Sequence, residues 1–316
     1  MTGSTLEDIL SLPQVHVKDI KSLTDKLQKF VAGGADQLMV ISDFDFTLSR
    51  FSDKSGNRCS SCYCVFDSAV GTNNPEWCRK FVGLYHKYGP VEHDHSLSIE
   101  EKVPFMEAWW QQSHELIIQG GFKKQAIDDY VAHCNIQLRD NADIMMKKMT
   151  NHSVPFIIFS AGIGTIIEMY LKHKFGRVEE NTHIVSNMMG FDEKGYVNSF
   201  SDPLIHVFCK NSSVMPADRT FSEQIHGRKN VILLGDSVGD AFMDVGVEEE
   251  QLSLKIGFVN HDRKLAGKYS IYNKLHRLSA DKLVDKYLHY FDIVLVDDQS
   301  MDIPNQILEA IYAKNY

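Results

Sequence analysis

Short, unbroken apolar runs recur along the chain, and several of them are followed by small or acidic residues. A run of four to eight apolar residues that is bounded in this way is typical of a strand buried on both faces, as in a parallel sheet. The pattern predicts five strands, at Leu38–Ser42, Val154–Phe159, Val231–Leu234, Leu254–Val259 and Ile293–Val296.

Helical patterns lie between these strands, among them Thr165–His173 and Ala241–Val245, and N-terminal helices are predicted over about residues 16–32. Strands that alternate with helices predict an α/β fold with a doubly wound parallel sheet. Ligands bind to such a sheet in a crevice beyond the carboxyl ends of its strands. The residues that follow the predicted strands should therefore converge on one site.

The stretch from residue 51 to residue 138 contains no comparable apolar run, but Glu100–Ile118 and Lys123–Leu138 read as helices. We interpret residues 51–138 as a helical cap domain, inserted into a core formed by residues 1–50 and 139–316. A cap that leaves the core after the first strand would lie over the crevice and exclude water from it. The alternative is a peripheral helical subdomain without a role.

The net charge of −9 over 316 residues makes the chain a poor candidate for binding a nucleic acid polymer. No stretch approaches the roughly 20 consecutive apolar residues that span a bilayer. The N-terminus, MTGSTLEDILSLPQ, lacks the basic start and the apolar run of a signal peptide. We expect a soluble, cytoplasmic monomer with no membrane partner.

Six cysteines are present, and Cys59 and Cys62 form an isolated C-x-x-C. In the cytoplasm the thiols should be reduced. The pair could contribute to a zinc site, but a structural zinc ion needs four ligands. Incidental thiols in a loop are the favoured interpretation.

Asp43 and Asp45 follow the first predicted strand, two positions apart. In an extended segment their side chains would point to the same site. One carboxylate could attack phosphorus, and the other could deliver a proton to the leaving oxygen. Thr47 could donate a hydrogen bond to the phosphate. By itself, the pair is equally typical of surface acids at the end of a strand.

Three later segments carry residues suited to phosphate chemistry. Ser160 and Ala161 would offer a hydroxyl and backbone N–H groups at the start of a helix, as an anion site or as a simple helix cap. Lys210 could neutralise both the attacking carboxylate and the phosphate. Asp236 and Asp240, in GDSVGD, could bind magnesium (Mg2+) or could merely cap a glycine-rich turn.

Taken in order, ISDFDFTL, IFSAG, HVFCK and ILLGDSVGD resemble the four motifs of the haloacid dehalogenase superfamily. The resemblance implies that Asp43 is the nucleophile and Asp45 the general acid/base. It implies that the phosphate is bound by Ser160, with its neighbour Ala161, and by Lys210. The acids implied to hold Mg2+ are Asp43, Asp45, Asp236 and Asp240.

From about residue 38 onwards, the chain resembles the eukaryotic cytosolic 5'-nucleotidases of type III, in RCSSC, VEHDHSLSIEEKVPFMEAWW, SHELI, LIHVFCK and YFDIVLV. That family hydrolyses pyrimidine nucleoside monophosphates, and one branch takes 7-methylguanosine monophosphate. The resemblance implies that Glu92 and Ser113 contact the base. An aromatic face favours a cationic base. Of the adjacent Trp109 and Trp110, we favour Trp110 as the residue that stacks on the base, and Phe66 is a further candidate. The alternative is that these aromatic residues form the core of the cap.

The sequence thus predicts a magnesium-dependent 5'-nucleotidase for 7-methylguanosine and cytidine monophosphates, acting through an aspartyl-phosphate. A related phosphatase for a small ester such as phosphoserine is the first alternative, although it would need no aromatic cap. A catalytically silent nucleotide-binding module is the second, although all the motif acids are present. A protein phosphatase is a third alternative, but it would need an open site and not a covering cap. Phosphoryl transfer to a second nucleoside in place of water would use the same motif residues.

Overall fold

The structure, a computed structural model, describes residues 10–66, 74–92, 94, 96–214, 219–246, 252–260 and 280–313. Its strands are β1 (Val15–Val17), β2 (Leu38–Ser42), β3 (Phe156–Ile163), β4 (Thr182–Asn187), β5 (Met189–Phe191), β6 (Val197–Phe200), β7 (Asn230–Gly235), β8 (Leu252–Val259) and β9 (Ile293–Val296). Its α-helices are α1 (Ile20–Gly33), α2 (Pro75–Glu92), α3 (Ile99–Gln119), α4 (Lys124–His133), α5 (Ala142–Asn151), α6 (Gly164–Phe175), α7 (Arg219–Ile225), α8 (Ala280–Tyr287) and α9 (Asp302–Tyr312).

Seven strands form one sheet in the order β1-β9-β8-β7-β2-β3-β4. Neighbouring strands are parallel, except that β1 lies antiparallel to β9 at the edge. Every residue of β2, β3 and β7 is buried, as continuous apolar runs predict for strands covered on both faces. The predicted α/β fold with a mostly parallel central sheet is confirmed.

Apolar clusters cover both faces of this sheet. Along β2, Val40 belongs to one cluster, whereas Met39 and Ile41 belong to another. Successive side chains of a strand point to opposite faces, so the two clusters lie on opposite sides of the sheet. The core therefore fixes the strands from both sides and leaves only their ends free to build a site.

All five predicted strands are present, and β2 and β9 have the predicted bounds. The prediction for β3 was wrong at both ends, because the strand begins at Phe156 and continues to Ile163. It therefore includes the SAG segment, which had been placed at the start of a helix.

Two helix predictions were wrong. Residues 15–17 form β1 rather than a helix, because they pair with the edge strand β9, and α1 begins only after Asp19 caps it. Val238–Phe242 forms a short 3-10 helix followed by a turn, so no α-helix covers Ala241–Val245. Asp240 accepts hydrogen bonds from the N–H groups of Asp236 and Ser237, which closes a turn too tight for an α-helix.

Helices α2, α3 and α4 occupy the stretch predicted as a cap. Helix α3 has nearly the predicted bounds and begins at a capping box made by Ser98 and Glu101. Helix α4 ends at His133 rather than near Leu138, because the backbone is already extended at Cys134. None of the helices in the described ranges combines the length and the apolar composition needed to cross a membrane.

The hairpin of β5 and β6 packs against these helices, although it lies outside residues 51–138. The N–H of Lys124 donates to the carbonyl of Gly195 (2.8 Å), and the N–H of Val197 donates to the carbonyl of Phe122 (2.9 Å). The division into a core and a cap at residues 51 and 138 stays a prediction.

A third apolar cluster joins α2 and α3 to the end of β3. Its buried members are Tyr88, Met106, Trp110 and Ala161, and Phe208 packs against it. Because Ala161 follows directly on Ser160, this cluster holds the aromatic residues of α2 and α3 next to one of the predicted phosphate-binding segments.

Candidate active site

Asp43 and Asp236 each follow the last residue of a strand, β2 and β7, and these strands are neighbours in the sheet. Ser42 lies opposite Leu234 in the register of the two strands. The N–H of Asp43 extends this pairing by donating to the carbonyl of Leu234 (3.0 Å). Parallel pairing therefore brings the two aspartates to the same edge of the sheet.

Lys210 links the predicted nucleophile to the last predicted motif. Its Nζ lies 2.5 Å from Oδ1 of Asp43 and 2.7 Å from Oδ1 of Asp240. All three residues are buried. Burial alone would lower the pKa of Lys210, but the charges of Asp240 and Asp43 outweigh it and raise that pKa, so the lysine stays charged.

Asp240 is held by the turn that follows β7. Its Oδ2 accepts hydrogen bonds from the N–H of Asp236 (3.2 Å) and from the N–H (2.9 Å) and Oγ (2.8 Å) of Ser237. A Cβ at Gly235 would come within 2.3 Å of the Cβ of Asp240, so only glycine allows this approach. The turn chemistry of GDSVGD thus fixes one carboxylate oxygen and leaves the other for Lys210.

Asp43, Asp236 and Asp240 form an acidic cluster whose carboxylate oxygens lie within 4.8 Å of one another. Burial raises the pKa of Asp43 to about 7, opposed by Lys210 and reinforced by Asp240. Burial, together with the charges of Asp43 and Asp240, also raises the pKa of Asp236 well above its ordinary value. Lys210, and for Asp236 also Arg139, oppose these increases without reversing them, so the cluster fits a divalent cation, which prefers carboxylate oxygens.

Asp45 lies beside this cluster but is not part of it. The strand ends at Ser42, but Asp43 and Asp45 keep extended backbone angles, with ψ values of 162° and 119°, and the chain turns at Phe46, which has a φ of 63°. Oδ1 of Asp45 accepts a hydrogen bond from the N–H of Cys62 (2.9 Å). Burial raises the pKa of Asp45 to about 6, and the Cys62 contact opposes this increase.

Ser160 lies within β3 and not at a helix start, since α6 begins only at Gly164. Its Oγ accepts a hydrogen bond from the N–H of Gly162 (3.0 Å). A Cβ added to Gly162 would lie 3.0 Å from Oδ2 of Asp45 and 3.1 Å from Oγ of Ser160. The structure therefore brings Ser160, Gly162 and Asp45 together.

Thr47 is also close to the acidic cluster. Its side chain is fully buried, and Oγ1 donates to Oδ1 of Asp236 at 3.3 Å. Its role as a phosphate ligand stays a prediction, because the described contact of its hydroxyl is with an acid of the cluster.

No motif in the sequence singles out Arg139, which the structure buries behind the turn that follows β2. Its Nε donates to the carbonyl of Thr47 (2.6 Å), and Nη2 donates to the carbonyl of Phe46 (2.6 Å) and to Oδ1 of Asn260 (2.9 Å). Burial lowers the pKa of Arg139 to about 9, and the charge of Asp236 opposes this decrease. Arg139 thus fixes the turn that carries Asp45, and its only sequence signal is a charge beside the buried Ile136.

Glu92 is the last residue of α2 and is half-buried. Burial raises its pKa to about 7, Lys102 opposes the increase, and the charges of Asp240 and Lys210 also act on it. Nζ of Lys102 donates to the main-chain carbonyl of Glu92 at 3.0 Å. Glu92 is therefore close enough to the acidic cluster for the charges of Asp240 and Lys210 to affect its pKa.

Trp110 lies between α3 and β3. Its Nε1 donates to the carbonyl of Ala161 at 2.7 Å, and its ring meets that of Tyr63 edge-on at 6.2 Å. Trp109, the adjacent residue, instead lies nearly parallel to Tyr88, with ring centroids 6.1 Å apart. Ser113 is buried one turn further along α3. The assignment of Trp110 and Ser113 to base binding stays a prediction.

Phe66 is not brought to the crevice. It has no exposed surface and packs edge-on against Phe122, with ring centroids 5.0 Å apart. These are the surroundings of a core residue, which was the alternative interpretation, and not those of a side chain that faces the base. Among the described residues, the cluster of possible metal ligands contains neither Cys59 nor Cys62.

Comparison with known proteins decides the family. Residues 46–312 match the family model described as pyrimidine 5'-nucleotidase (UMPH-1). The chain belongs to the pyrimidine 5'-nucleotidase family. This membership confirms the resemblance found in the motifs, and with it the enzyme class of this 5'-nucleotidase, a phosphoric monoester hydrolase.

Relatives of this pyrimidine 5'-nucleotidase family member cover most of its length. A putative cytosolic 5'-nucleotidase 3 of Caenorhabditis elegans is 43% identical, over 96% of this chain and 77% of its own. The 7-methylguanosine phosphate-specific 5'-nucleotidase of Homo sapiens is 38% identical, over 88% of this chain and 86% of its own. A crystal structure of cytosolic 5'-nucleotidase IIIB bound to cytidine is similar, with a TM-score of 0.84, 29% identity and 99% of each chain covered.

Proposed function

We propose that this 5'-nucleotidase hydrolyses 7-methylguanosine and cytidine 5'-monophosphates to nucleoside and phosphate, in a magnesium-dependent reaction through a phosphorylated Asp43. One observation carries the proposal. Lys210 joins Asp43 to Asp240 by contacts of 2.5 and 2.7 Å within an acidic cluster, and Glu92 of α2 lies in the field of that cluster. A phosphate site and a candidate base site are therefore adjacent.

Asp43 acts as the nucleophile. Lys210 favours its ionised form and can neutralise charge that develops on the transferred phosphoryl group, while the hydroxyl of Ser160 and the N–H of Ala161 contribute further donors. In-line attack of a carboxylate oxygen on phosphorus forms the aspartyl-phosphate and breaks the bond to the 5'-oxygen.

Asp45 acts as the general acid and then as the general base. Its pKa of about 6 allows it to hold a proton near neutral pH and to accept one back. In the first step it protonates the leaving 5'-oxygen. In the second step, as a carboxylate, it takes a proton from the water that attacks the aspartyl-phosphate. The hydrogen bond from the N–H of Cys62 fixes the orientation of its carboxyl group.

The residues that would hold magnesium are Asp43, Asp236 and Asp240, because their carboxylate oxygens lie within 4.8 Å of one another and the pKa values of Asp43 and Asp236 stay raised despite the nearby cations. When bound, the ion supplies charge neutralisation for the phosphate and the attacking carboxylate. Thr47 orients Asp236 through its hydroxyl, and Ser237 orients Asp240.

The base would be recognised by Glu92, Ser113 and Trp110. 7-Methylguanine carries a delocalised positive charge, so a carboxylate and an aromatic face both favour it. Cytosine has an exocyclic amine that can donate to the same carboxylate. The relatives support this choice, because one is named for 7-methylguanosine phosphate and a similar structure is bound to cytidine.

The location of the enzyme and the size of its substrate are proposed from the names of the relatives and from the net charge. Relatives named cytosolic favour a cytoplasmic enzyme, and the net charge of −9 argues against a polymer of nucleotides as the substrate. A monomer remains the expectation from the sequence.

The test is phosphate release from cytidine, uridine, guanosine and 7-methylguanosine monophosphates, each with magnesium and with a chelator. We expect magnesium-dependent release that is fastest from the cytidine and 7-methylguanosine substrates. Release from none of the four would refute the nucleotide substrate, and undiminished release with the chelator would refute the metal.

A further inference from the structure

A lysine is buried among the residues that should recognise the base. Lys102 is only 7% exposed, although it lies in the first turn of α3. Lysine is almost never buried to this degree unless it is paired. A cation at this position therefore requires a partner that compensates for its lost hydration.

Its partner is the end of helix α2. Nζ of Lys102 donates to the carbonyl of Glu92 (3.0 Å), which is the last residue of that helix. The last carbonyls of a helix lack partners within the helix and carry a partial negative charge, so a cation there is favourable. Lys102 thus fixes the backbone of Glu92 at the point where α2 ends.

The same lysine reaches the core. Its Nζ lies 5.6 Å from the ring centroid of Phe208, which is two residues before the phosphate-binding Lys210. Lys102 is therefore in contact with α2, belongs to α3, and lies over the loop that carries Lys210. These three elements supply the proposed base and phosphate contacts.

Lys102 also belongs to the face of α3 that is turned towards the core. Together with Met106, Trp110 and Ser113 it forms a buried stripe with the spacing of one helix face. Two members of this stripe are the proposed base contacts, so the lysine stands at the N-terminal end of the same surface.

Lys102 acts on Glu92 through its charge as well as through its hydrogen bond. Burial raises the pKa of Glu92 to about 7, and Lys102 is the first of the groups that oppose this increase. Burial in turn lowers the pKa of Lys102, against the charges of Asp94 and Glu92. The lysine thereby favours the carboxylate form, which a cationic base or an exocyclic amine requires.

We propose that Lys102 is a positioning residue that sets the affinity for the nucleobase, by fixing the backbone and favouring the charge of Glu92. The inference rests on the proposed function, since it presupposes a nucleotide substrate. It assigns no contact with the phosphate or with the reacting atoms, so its effect should fall on KM and not on kcat.

The experiment compares Lys102→Met with Lys102→Arg and with a matched control, Lys80→Met. Lys80 is on α2 with its side chain 61% exposed, so the control makes the same chemical change away from the crevice. The measurements are kcat and KM for cytidine monophosphate, and the inhibition constant of inorganic phosphate, which reads the phosphate half of the site alone.

For K102M we expect KM to rise about tenfold, which is the loss of one charge-assisted hydrogen bond, with kcat and the inhibition constant of phosphate within about twofold. K102R retains the cation and donors and should recover most of the affinity, and K80M should match the wild type. If K102M does not fold, Lys102→Gln, which keeps a donor without the charge, should raise KM in the same direction.

An unchanged KM in K102M would overturn the inference, and so would an equal loss of phosphate affinity, since that indicates general damage to the site. Failure of K102R to recover affinity would also count against it. A wild-type protein that releases no phosphate from nucleotides would overturn the proposed function, and the inference with it.

Discussion

Gly162 lies where three groups of the candidate site meet. A Cβ at this position would be 3.0 Å from Oδ2 of Asp45, 3.1 Å from Oγ of Ser160 and 3.3 Å from the Cβ of Cys62. Its φ is not in the left-handed region, so a side chain here would meet tight contacts and not backbone strain. The close approach keeps Asp45, the proposed proton donor, next to the segment proposed to bind phosphate.

We expect Gly162→Ala to lower kcat by about tenfold, because a shift of a few tenths of an ångström in Asp45 disturbs proton delivery. The check is steady-state kinetics with a thermal melt. Gly83→Ala is the matched control, since nothing lies within 4 Å of a Cβ built there. Equal kinetics for both variants would contradict the proposed position of Asp45.

Arg139 is the most buried charged side chain near the turn that follows β2, at 1% exposed. Its donors serve the main-chain carbonyls of Phe46 and Thr47, which belong to the irregular turn and are not paired in the sheet. Without the guanidinium the carbonyl of Thr47 would lose its described donor, whereas the carbonyl of Phe46 would keep one hydrogen bond, from Nδ2 of Asn260 (3.0 Å).

We therefore expect Arg139→Met to reduce the free energy of unfolding by about 3 kcal/mol, because it removes the described donors to the carbonyls of Thr47 and Asp298. Urea denaturation measures it. Arg177→Met provides the control, because that side chain is 75% exposed and its loss should cost at most about 0.5 kcal/mol. A similar, small loss in both variants would show that Arg139 does not hold the turn.

At the scale of elements, helix α3 is joined to the hairpin of β5 and β6 through His114. Its ring stacks on Phe200 with centroids 3.8 Å apart, and its Nε2 lies 3.2 Å from the hydroxyl of Tyr63. Burial lowers the pKa of His114 from 6.5 to about 4. The helix–hairpin contact is therefore built around a neutral imidazole.

This burial makes stability depend on pH. Between pH 6.5 and about 4 the unfolded chain binds a proton at His114 that the folded chain does not, so stability falls as the pH decreases through this range. We expect the wild type to lose about 3 kcal/mol more than His114→Phe across it. Denaturation at both ends of the range measures this, and parallel losses would contradict a neutral, buried His114.

The elements also show what periodicity can predict. Strands such as β2 and β7 were predictable because burial on both faces leaves an unbroken apolar run. The three-residue β1 was not, because it forms only by pairing with β9, which is distant in sequence. The turn after β7 resembled a helix start, but side-chain hydrogen bonds to Asp240 determine its shape.

The site shows a similar division at the scale of the whole molecule. Asp43 and Asp236 could be placed together from the sequence, because both follow strands of one parallel sheet. Lys210 lies in a loop without regular structure, so only the resemblance to a family placed it beside Asp43. Arg139 belongs to no motif, and Lys102 lies in a stretch of the family resemblance without a role assigned to it, so the importance of both depends on burial that only the fold reveals.

At the same scale, the proposed binding of magnesium to the acidic cluster should affect the stability of the whole molecule. Because a ligand that binds only the folded state stabilises it, we expect magnesium to raise Tm by about 3 °C or more. The shift should weaken as the pH falls below about 7, where protons compete for Asp43. Asp236→Asn should abolish it, and an equal shift in that variant, at matched ionic strength, would place the ion elsewhere.

The central claim is that Asp43 carries the phosphoryl group during turnover. The most direct test is to quench the enzyme in acid during hydrolysis of cytidine monophosphate and to locate the phosphoryl group by mass spectrometry of its peptides. We predict the label on Asp43, and neither label nor phosphate release from a folded Asp43→Asn variant. A label on another residue, or release by that variant at the wild-type rate, would contradict the account.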